Sequence, residues 1–206
     1  VPENSPRRSP RPGERRRDRE RTRARILEAA KAEFGAKGYA AARVGEIADR
    51  AGVNKQLISY YFGGKEGLYN ELNSPVYQGF SALAATDRPL AEVAADFVRT
   101  GLADTDLGRL FLWENLTDGA PDAVGVAAQR EFLRGQVDYV RARQEAGDFP
   151  EDVDPAALML MLMAAASASL AFPRVARAVT GRDPASPEFA EDYAEQLARV
   201  VRHLKR

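Results

Sequence analysis

The sequence predicts an all-α protein: an N-terminal three-helix head containing a helix-turn-helix, joined to a C-terminal antiparallel helical bundle. Three observations predict it. Apolar residues recur at helical spacing from about Arg19 to the C-terminal end. No stretch alternates polar and apolar residues for long enough to make a strand. Proline stands near the start of four of the segments that the periodicity marks out, and glycine just past the end of five. A length of 206 residues suits one large domain or two small ones.

The elements follow in order. Residues 1–19 (VPENSPRRSPRPGERRRDR) carry four prolines and no aromatic residue, too little apolar surface to offset the entropy of ordering. They are expected to form a disordered basic arm, either a solubilising tail or a phosphate-seeking extension. A head is expected over 20–80. Its first helix carries Leu27, Ala30 and Phe34 on one stripe and ends at Gly38, with Gly35 a weaker stop. Val44, Ile47, Ala48 and Ala51 mark a short amphipathic helix that Gly52 stops. A second short helix covers about 55–61 and breaks at Gly63-Gly64. A longer helix begins at Lys65 with Leu68, Leu72 and Val76 on its apolar side, and Pro75 is expected to kink or end it. Further helices are expected over 89–103, 107–116, 121–146, 154–178 and 187–204. Pro89, Pro121, Pro155 and Pro187 stand near their starts, Gly147 and Gly181 follow two of their ends, and Asp154 and Ser186 serve as N-caps.

Composition excludes several chemistries. The chain has no cysteine, so disulfides, thiol catalysis and cysteine-based zinc sites are ruled out. Its one histidine, His203, lies among Arg202, Lys205 and Arg206 at a helix end, where a solvated bystander is expected. There is no glycine-rich phosphate loop after a strand and no clustered set of metal ligands, and the carboxylates are scattered at helical-surface spacing. No enzyme, metal or cofactor is expected. The net charge is zero but unevenly spread: residues 1–70 hold 16 Lys and Arg against 9 Asp and Glu, residues 71–206 hold 14 against 21. Polyanion binding is therefore sought in the first third. No secretory signal is visible, and the longest apolar run, 156–172, holds no charge and is at the short limit for a bilayer span. A cytoplasmic protein without membrane contact is expected.

Residues 44–61 (VGEIADRAGVNKQLISYY) carry the functional signal. Two short helices crossing steeply need a small residue at the crossing, Ala48. They need a glycine in the turn, Gly52, an apolar anchor after it, Val53, and an apolar residue pointing back to the core, Ile58. All four stand at helix-turn-helix spacing within 43–62, leaving the polar face of the second helix outward to fit a major groove. An ordinary helical hairpin satisfies the same spacing.

The string GVNKQLISYYFGGKEGLY, residues 52–69, resembles the N-terminal signature of the tetracycline-repressor (TetR) family of bacterial regulators, and RARILEAAKAEFGAKGYAAARVGEIADRAGV upstream is similar to that family's first two helices. The close resemblance covers about residues 20–75. It implies a homodimeric regulator, cytoplasmic and nucleoid-associated when bound, whose second motif helix enters the major groove of a palindromic operator. Lys55, Gln56 and Ser59 then face the bases, Gln56 suiting adenine through its amide. Tyr60, Tyr61 and Lys65 fall where phosphates are gripped. Phe62 closes the three-helix bundle. The chain departs from the usual pattern at Leu57, often a threonine, which offers a thymine methyl an apolar contact. It departs also at Ala42-Arg43, where the usual N-cap is absent and Arg43 reaches phosphate or a guanine edge.

The resemblance assigns residues 81–206 to ligand binding and dimerisation. Residues 158–172 are apolar all round and must be covered on every side. With Phe189, Tyr193, Leu197, Val200 and Val201 of the final helix they suit a four-helix interface between copies, formed by about 155–172 and 187–204. A monomer's core helix reads the same way. Phe80, Phe97, Phe111, Trp113, Phe132 and Met163 are candidates to line an effector pocket, with Glu114 and Asn115 the polar pair beside it. The helix from Lys65 is expected to act as the lever between pocket and head. An architectural DNA-binding protein with weak sequence preference and no effector is the alternative.

Overall fold

The computed structural model describes residues 12–84, 88–116 and 126–204, with the side chains of 12, 14, 15, 75–84 and 126–129 excepted. These residues form ten α-helices and no strand: α1 (Pro12–Ala41), α2 (Val44–Ala51), α3 (Lys55–Phe62), α4 (Lys65–Ala84), α5 (Leu90–Ala103), α6 (Thr105–Leu116), α7 (Val126–Glu145), α8 (Pro155–Ala171), α9 (Pro173–Thr180) and α10 (Pro187–His203).

Three elements differ from the sequence reading. First, α1 starts at Pro12, so residues 12–19 of the expected arm are helical. Pro12 is preset for a first helical position, and Arg16 pairs with Glu20 one turn on at 2.9 Å. Residues 1–11 lie outside the described residues. The buried stripe of α1 is centred on Ile26, Ala30 and Phe34, with Leu27 only half-buried, and the helical path breaks at Gly38, whose φ of 71° suits a residue without a side chain. Second, α4 continues through Pro75 to Ala84. Third, the single helix expected over 154–178 is two helices, α8 and α9, bent by 84°. Phe172 leaves the helical region (φ −123°, ψ 56°) because Pro173 behind it disfavours the α conformation. Pro121 lies outside the described residues.

Two cores result. The head core gathers Ile26, Ala30 and Phe34 of α1, Ile47 and Ala48 of α2, Ile58 and Phe62 of α3, and Leu68, Tyr69 and Leu72 of α4. Leu110 of α6 belongs to it as well, fully buried. The body core joins α5, α7, α8 and α10 through residues such as Val98, Val140, Leu158, Leu197 and Val201. Tyr193 of α10 donates its hydroxyl proton to the Ala165 carbonyl of α8 at 2.7 Å. Asp154 and Ser186 cap α8 and α10, accepting from the N–H groups of Ala157 (2.8 Å) and Phe189 (3.1 Å). Among the described residues no single helix is long and apolar enough to cross a membrane; only the bent pair α8–α9 passes on length and composition together.

α6 lies between the two cores. Gly35 of α1 faces its start so closely that an added Cβ would stand 2.6 Å from the Asp106 carbonyl oxygen. On its other side an added Cβ at Gly108 would meet the Gly101 carbonyl and Leu170 at 2.5 Å each. Asp104 caps α6 by accepting from the Leu107 N–H at 3.2 Å and takes the Lys31 ammonium of α1 at 2.7 Å.

Candidate functional site

The turn between α2 and α3 is fixed by backbone chemistry. Gly52 adopts the left-handed conformation (φ 62°, ψ 43°), so that its own N–H reaches the Asp49 carbonyl and the Val53 N–H reaches that of Ala48 at 3.0 Å. Asn54 then caps α3, its side-chain oxygen accepting from the Gln56 N–H at 2.9 Å. The cap missing at Arg43 is supplied from α1: the buried carboxylate of Glu33 lies 3.5 Å from the Arg43 N–H and 2.8 Å from the Lys37 ammonium. Lys37 also pairs with Glu46 in the first turn of α2, and the two carboxylates hold its pKa above the ordinary lysine value.

A further support is Arg25. From α1 its guanidinium spans the end of α2, donating through Nε to the Ala51 carbonyl at 2.9 Å and through Nη2 to Gly52 at 2.8 Å. The positive group sits where the helix dipole is negative. Sequence reasoning missed Arg25 and Glu33, because their partners lie on another helix and no local pattern marks the pairing.

With Ile58 and Phe62 turned into the core, α3 presents Lys55, Gln56, Ser59 and Tyr60 to solvent, Tyr60 being 67% exposed. Arg43 is exposed beside them. Tyr61 is half-buried and stacks edge-on with Tyr60, their ring centres 5.1 Å apart. Leu57, read from sequence as a surface contact, is half-buried against the head core. At position 57 an aliphatic side chain finds more apolar surface inside the bundle than outside it. Lys65 stands at the first turn of α4 with its ammonium 4.4 Å over the Tyr39 ring and 3.4 Å from the Ala40 carbonyl. Burial lowers its pKa. Exposed Arg16, Arg17, Arg19, Arg21 and Arg23 run along the first part of α1. The outcome is an exposed surface of polar and cationic side chains carried on a hydrogen-bonded turn.

In the body, two small adjoining cavities of about 40 Å³ each lie between α5, α6, α7 and α8 and open toward solvent. Phe97, Phe111, Phe132 and Met163 of the expected set line them. Trp113 and Glu114 do not. Two positions at 100° each carry Trp113 to the side of α6 away from Phe111, where its indole covers Gly38 (3.2 Å from an added Cβ), and the Glu114 charge acts on Tyr69. Burial, with that charge, pushes the Tyr69 phenol up to about 12. Asn115 turns its amide back to the Phe111 carbonyl at 2.7 Å. The side chain of Phe80 lies outside the described residues. Gln136, Tyr139 and Met159 were missed. Gln136 falls on the apolar stripe of α7 with Phe132 and Val140, and a lone polar residue on such a stripe was the available signal.

Comparison with known proteins follows from this geometry. The family described as bacterial regulatory proteins, tetR family, matches residues 26–72, and the tetracyclin repressor-like C-terminal domain matches residues 90–203. The chain belongs to the TetR family. The HTH-type transcriptional repressor SCO4008 of Streptomyces coelicolor is 32% identical over 179 residues, covering 86% of this chain and 93% of that protein. YttP of Bacillus subtilis is 45% identical over 62 residues, 30% of each chain. Among solved structures, SCO4942 of Streptomyces coelicolor superposes with a TM-score of 0.70 at 26% identity, over 89% of this chain and 98% of that one. The SmeT–triclosan complex shares the fold at a TM-score of 0.55 and 22% identity, over 84% and 89% of the two chains. This TetR protein is thus a DNA-binding transcriptional regulator by family, and its family is not one of enzymes.

Proposed function

We propose that this TetR protein is an effector-responsive repressor that binds a palindromic operator as a dimer. The observation that carries the reading is α3: a capped helix on a clamped turn, with Lys55, Gln56 and Ser59 outward and a cationic surround. In this reading those three side chains meet base edges, and Arg43, Tyr60, Tyr61 and Lys65 hold phosphates. Dimerisation is supported by apolar side chains left in solvent on α8 and α10, namely Leu160 (66% exposed), Met161 (64%) and Val200 (58%). Two copies facing each other would present their α3 helices about 34–36 Å apart, one turn of DNA.

The cavity supports effector binding, and a solved relative of the same fold, SmeT, holds triclosan. Coupling runs best through α6. Gly108 and Phe111 line the cavity, whereas Leu107 and Leu110 sit in the head core. The lever role that the sequence suggested for α4 passes largely to this helix. A coupling of about 2.7 kcal/mol would weaken operator binding about a hundredfold.

The exposed arginines along α1 favour a second reading, an architectural protein with little sequence preference. Selection of bound fragments from genomic DNA at two salt concentrations separates the two. Enrichment of one palindrome at nanomolar affinity supports the repressor, and salt-sensitive binding without enrichment supports the architectural reading. On the selected site, Gln56→Ala should cost about 1–3 kcal/mol at one base pair, while Lys65→Ala weakens binding to all sequences alike.

A further inference from the structure

We propose that the cavity is built for an uncharged, largely apolar molecule whose single polar group hydrogen-bonds to the Gln136 amide. The inference rests on reading the cavity as the effector site and names the chemical class it takes.

Both cavities share Phe97, Met159, Met163 and Ala166 as walls and Gln136 where they meet. Gln136 is only 6% exposed. Its amide makes no hydrogen bond to any described residue, although an amide carries two donors and an acceptor with two lone pairs. The amide is not among the polar groups sealed from solvent without a partner, so its hydrogen-bonding capacity faces the cavity, open to water or to a ligand group that replaces it. The other polar groups are few. Tyr139 is committed, donating its hydroxyl proton to the Arg88 carbonyl at 2.7 Å, and Ser167 lines the second cavity only.

The described walls carry no charge. Among the described lining residues no side chain is ionised at neutral pH; Tyr139 is held neutral because burial pushes its phenol up to about 12. An ionic headgroup brought to Gln136 would lose its hydration and find no counter-charge among the described walls, a loss that one amide does not repay. A hydroxyl or carbonyl at the same place forms a neutral hydrogen bond and leaves the rest of the molecule against methionine, phenylalanine and alanine. As it stands the cavity has room for a few water molecules. The unbranched side chains of Met159 and Met163 are suited to making way for a longer body.

Three probes with one tail and three heads test this on the full chain: 1-decanol, decanoate and decyltrimethylammonium, with binding read by calorimetry and operator release by fluorescence anisotropy. Decanol is expected to bind at least about tenfold more tightly than either ion. Gln136→Leu should weaken decanol about fivefold with the fold and operator affinity retained, since one neutral hydrogen bond is lost. Gln136→Glu should raise the affinity for decyltrimethylammonium over that for decanoate. Equal or tighter binding of an ion by the native chain overturns the inference, as does decanol binding that Gln136→Leu leaves unchanged, or failure of decanol to bind. The effector reading fails separately: decanol that binds through Gln136 but leaves the operator complex intact refutes the coupling and not the chemical class. An ion that binds and releases the operator does the reverse.

Discussion

Two glycine-to-alanine substitutions, chemically identical and both inside helices, should change stability in opposite directions. In a helix interior alanine is favoured over glycine by about 1 kcal/mol. Gly135, exposed on α7, has nothing within 4 Å of an added Cβ, so Gly135→Ala should realise most of that gain. At Gly35 the same methyl would stand 2.6 Å from the Asp106 carbonyl oxygen and 3.0 Å from its Cα, well inside ordinary contact. Backbone lies on both sides, so no rotamer relieves the overlap and α6 must move off α1. Overpacking of this kind costs about 1–3 kcal/mol, which leaves Gly35→Ala destabilising by about 1–2 kcal/mol after the helical gain. For a chain of this length each kcal/mol shifts Tm by about 2–4 °C. Thermal unfolding followed by circular dichroism at one fixed protein concentration should therefore place Gly135→Ala a few degrees above the native chain and Gly35→Ala a few degrees below it. If the two variants melt together, the close seating of α6 on α1 is not what holds head and body in register.

Other perturbations probe the remaining supports. Arg25→Ala should cost about 1–2 kcal/mol, the worth of two charge-assisted hydrogen bonds at a helix end discounted for solvent, and Arg25→Lys should recover only part of it because an ammonium cannot span both carbonyls; a lysine variant as stable as the native chain would remove the fork from the argument. Leu160→Glu combined with Met161→Glu should halve the molecular mass seen by sedimentation and abolish operator binding while leaving helicity intact; an unchanged mass would place the dimer contact elsewhere. Acid should loosen the body through Arg99, which links α5 to α10. Burial alone would raise the Asp96 pKa, but Arg88 and Arg99 outweigh it, and the hydrogen bond from Arg99 lowers that of Glu191. Both folded values are depressed, so their contribution is present above the unfolded carboxylate range, about 4, and is lost as the pH falls through the lower folded values. The urea midpoint should drop in that window, and Arg99→Met should flatten the drop; parallel pH curves would refute the link.

The head was legible because its determinants are local. Ala48, Gly52, Val53 and Ile58 specify a turn by their own spacing, and the side chains of α3 follow from helical geometry once Ile58 and Phe62 are inside. What was illegible depends on contacts between distant segments or on one bond. Arg25 and Glu33 act on α2 from α1. Phe172-Pro173 breaks an apolar run that periodicity alone reads as continuous. Trp113 and Phe111 are both aromatic residues of α6, yet two positions at 100° each carry them to different faces, so composition assigned both to the cavity and geometry keeps only one there.

That partition of α6 also explains why the helix has no slack. Its N-terminus is tied by Asp104 to Lys31 of α1, and the hydrogen bond between them raises the Lys31 pKa, so the ammonium stays charged. Gly35 admits α6 to touching distance of the head, and Gly108 admits α5 and α8 to touching distance of α6. A helix seated this closely on both sides cannot absorb displacement by compressing a neighbour, because protein interiors are already close-packed. A molecule that widens the space beside Phe111 must therefore shift α6 as a body, and Leu110 moves within the head core when it does. The head core is the same cluster that orients Ile58 and with it the outward face of α3. On the proposed reading, a signal from the cavity would reach the head through this one helix rather than through a chain of loops.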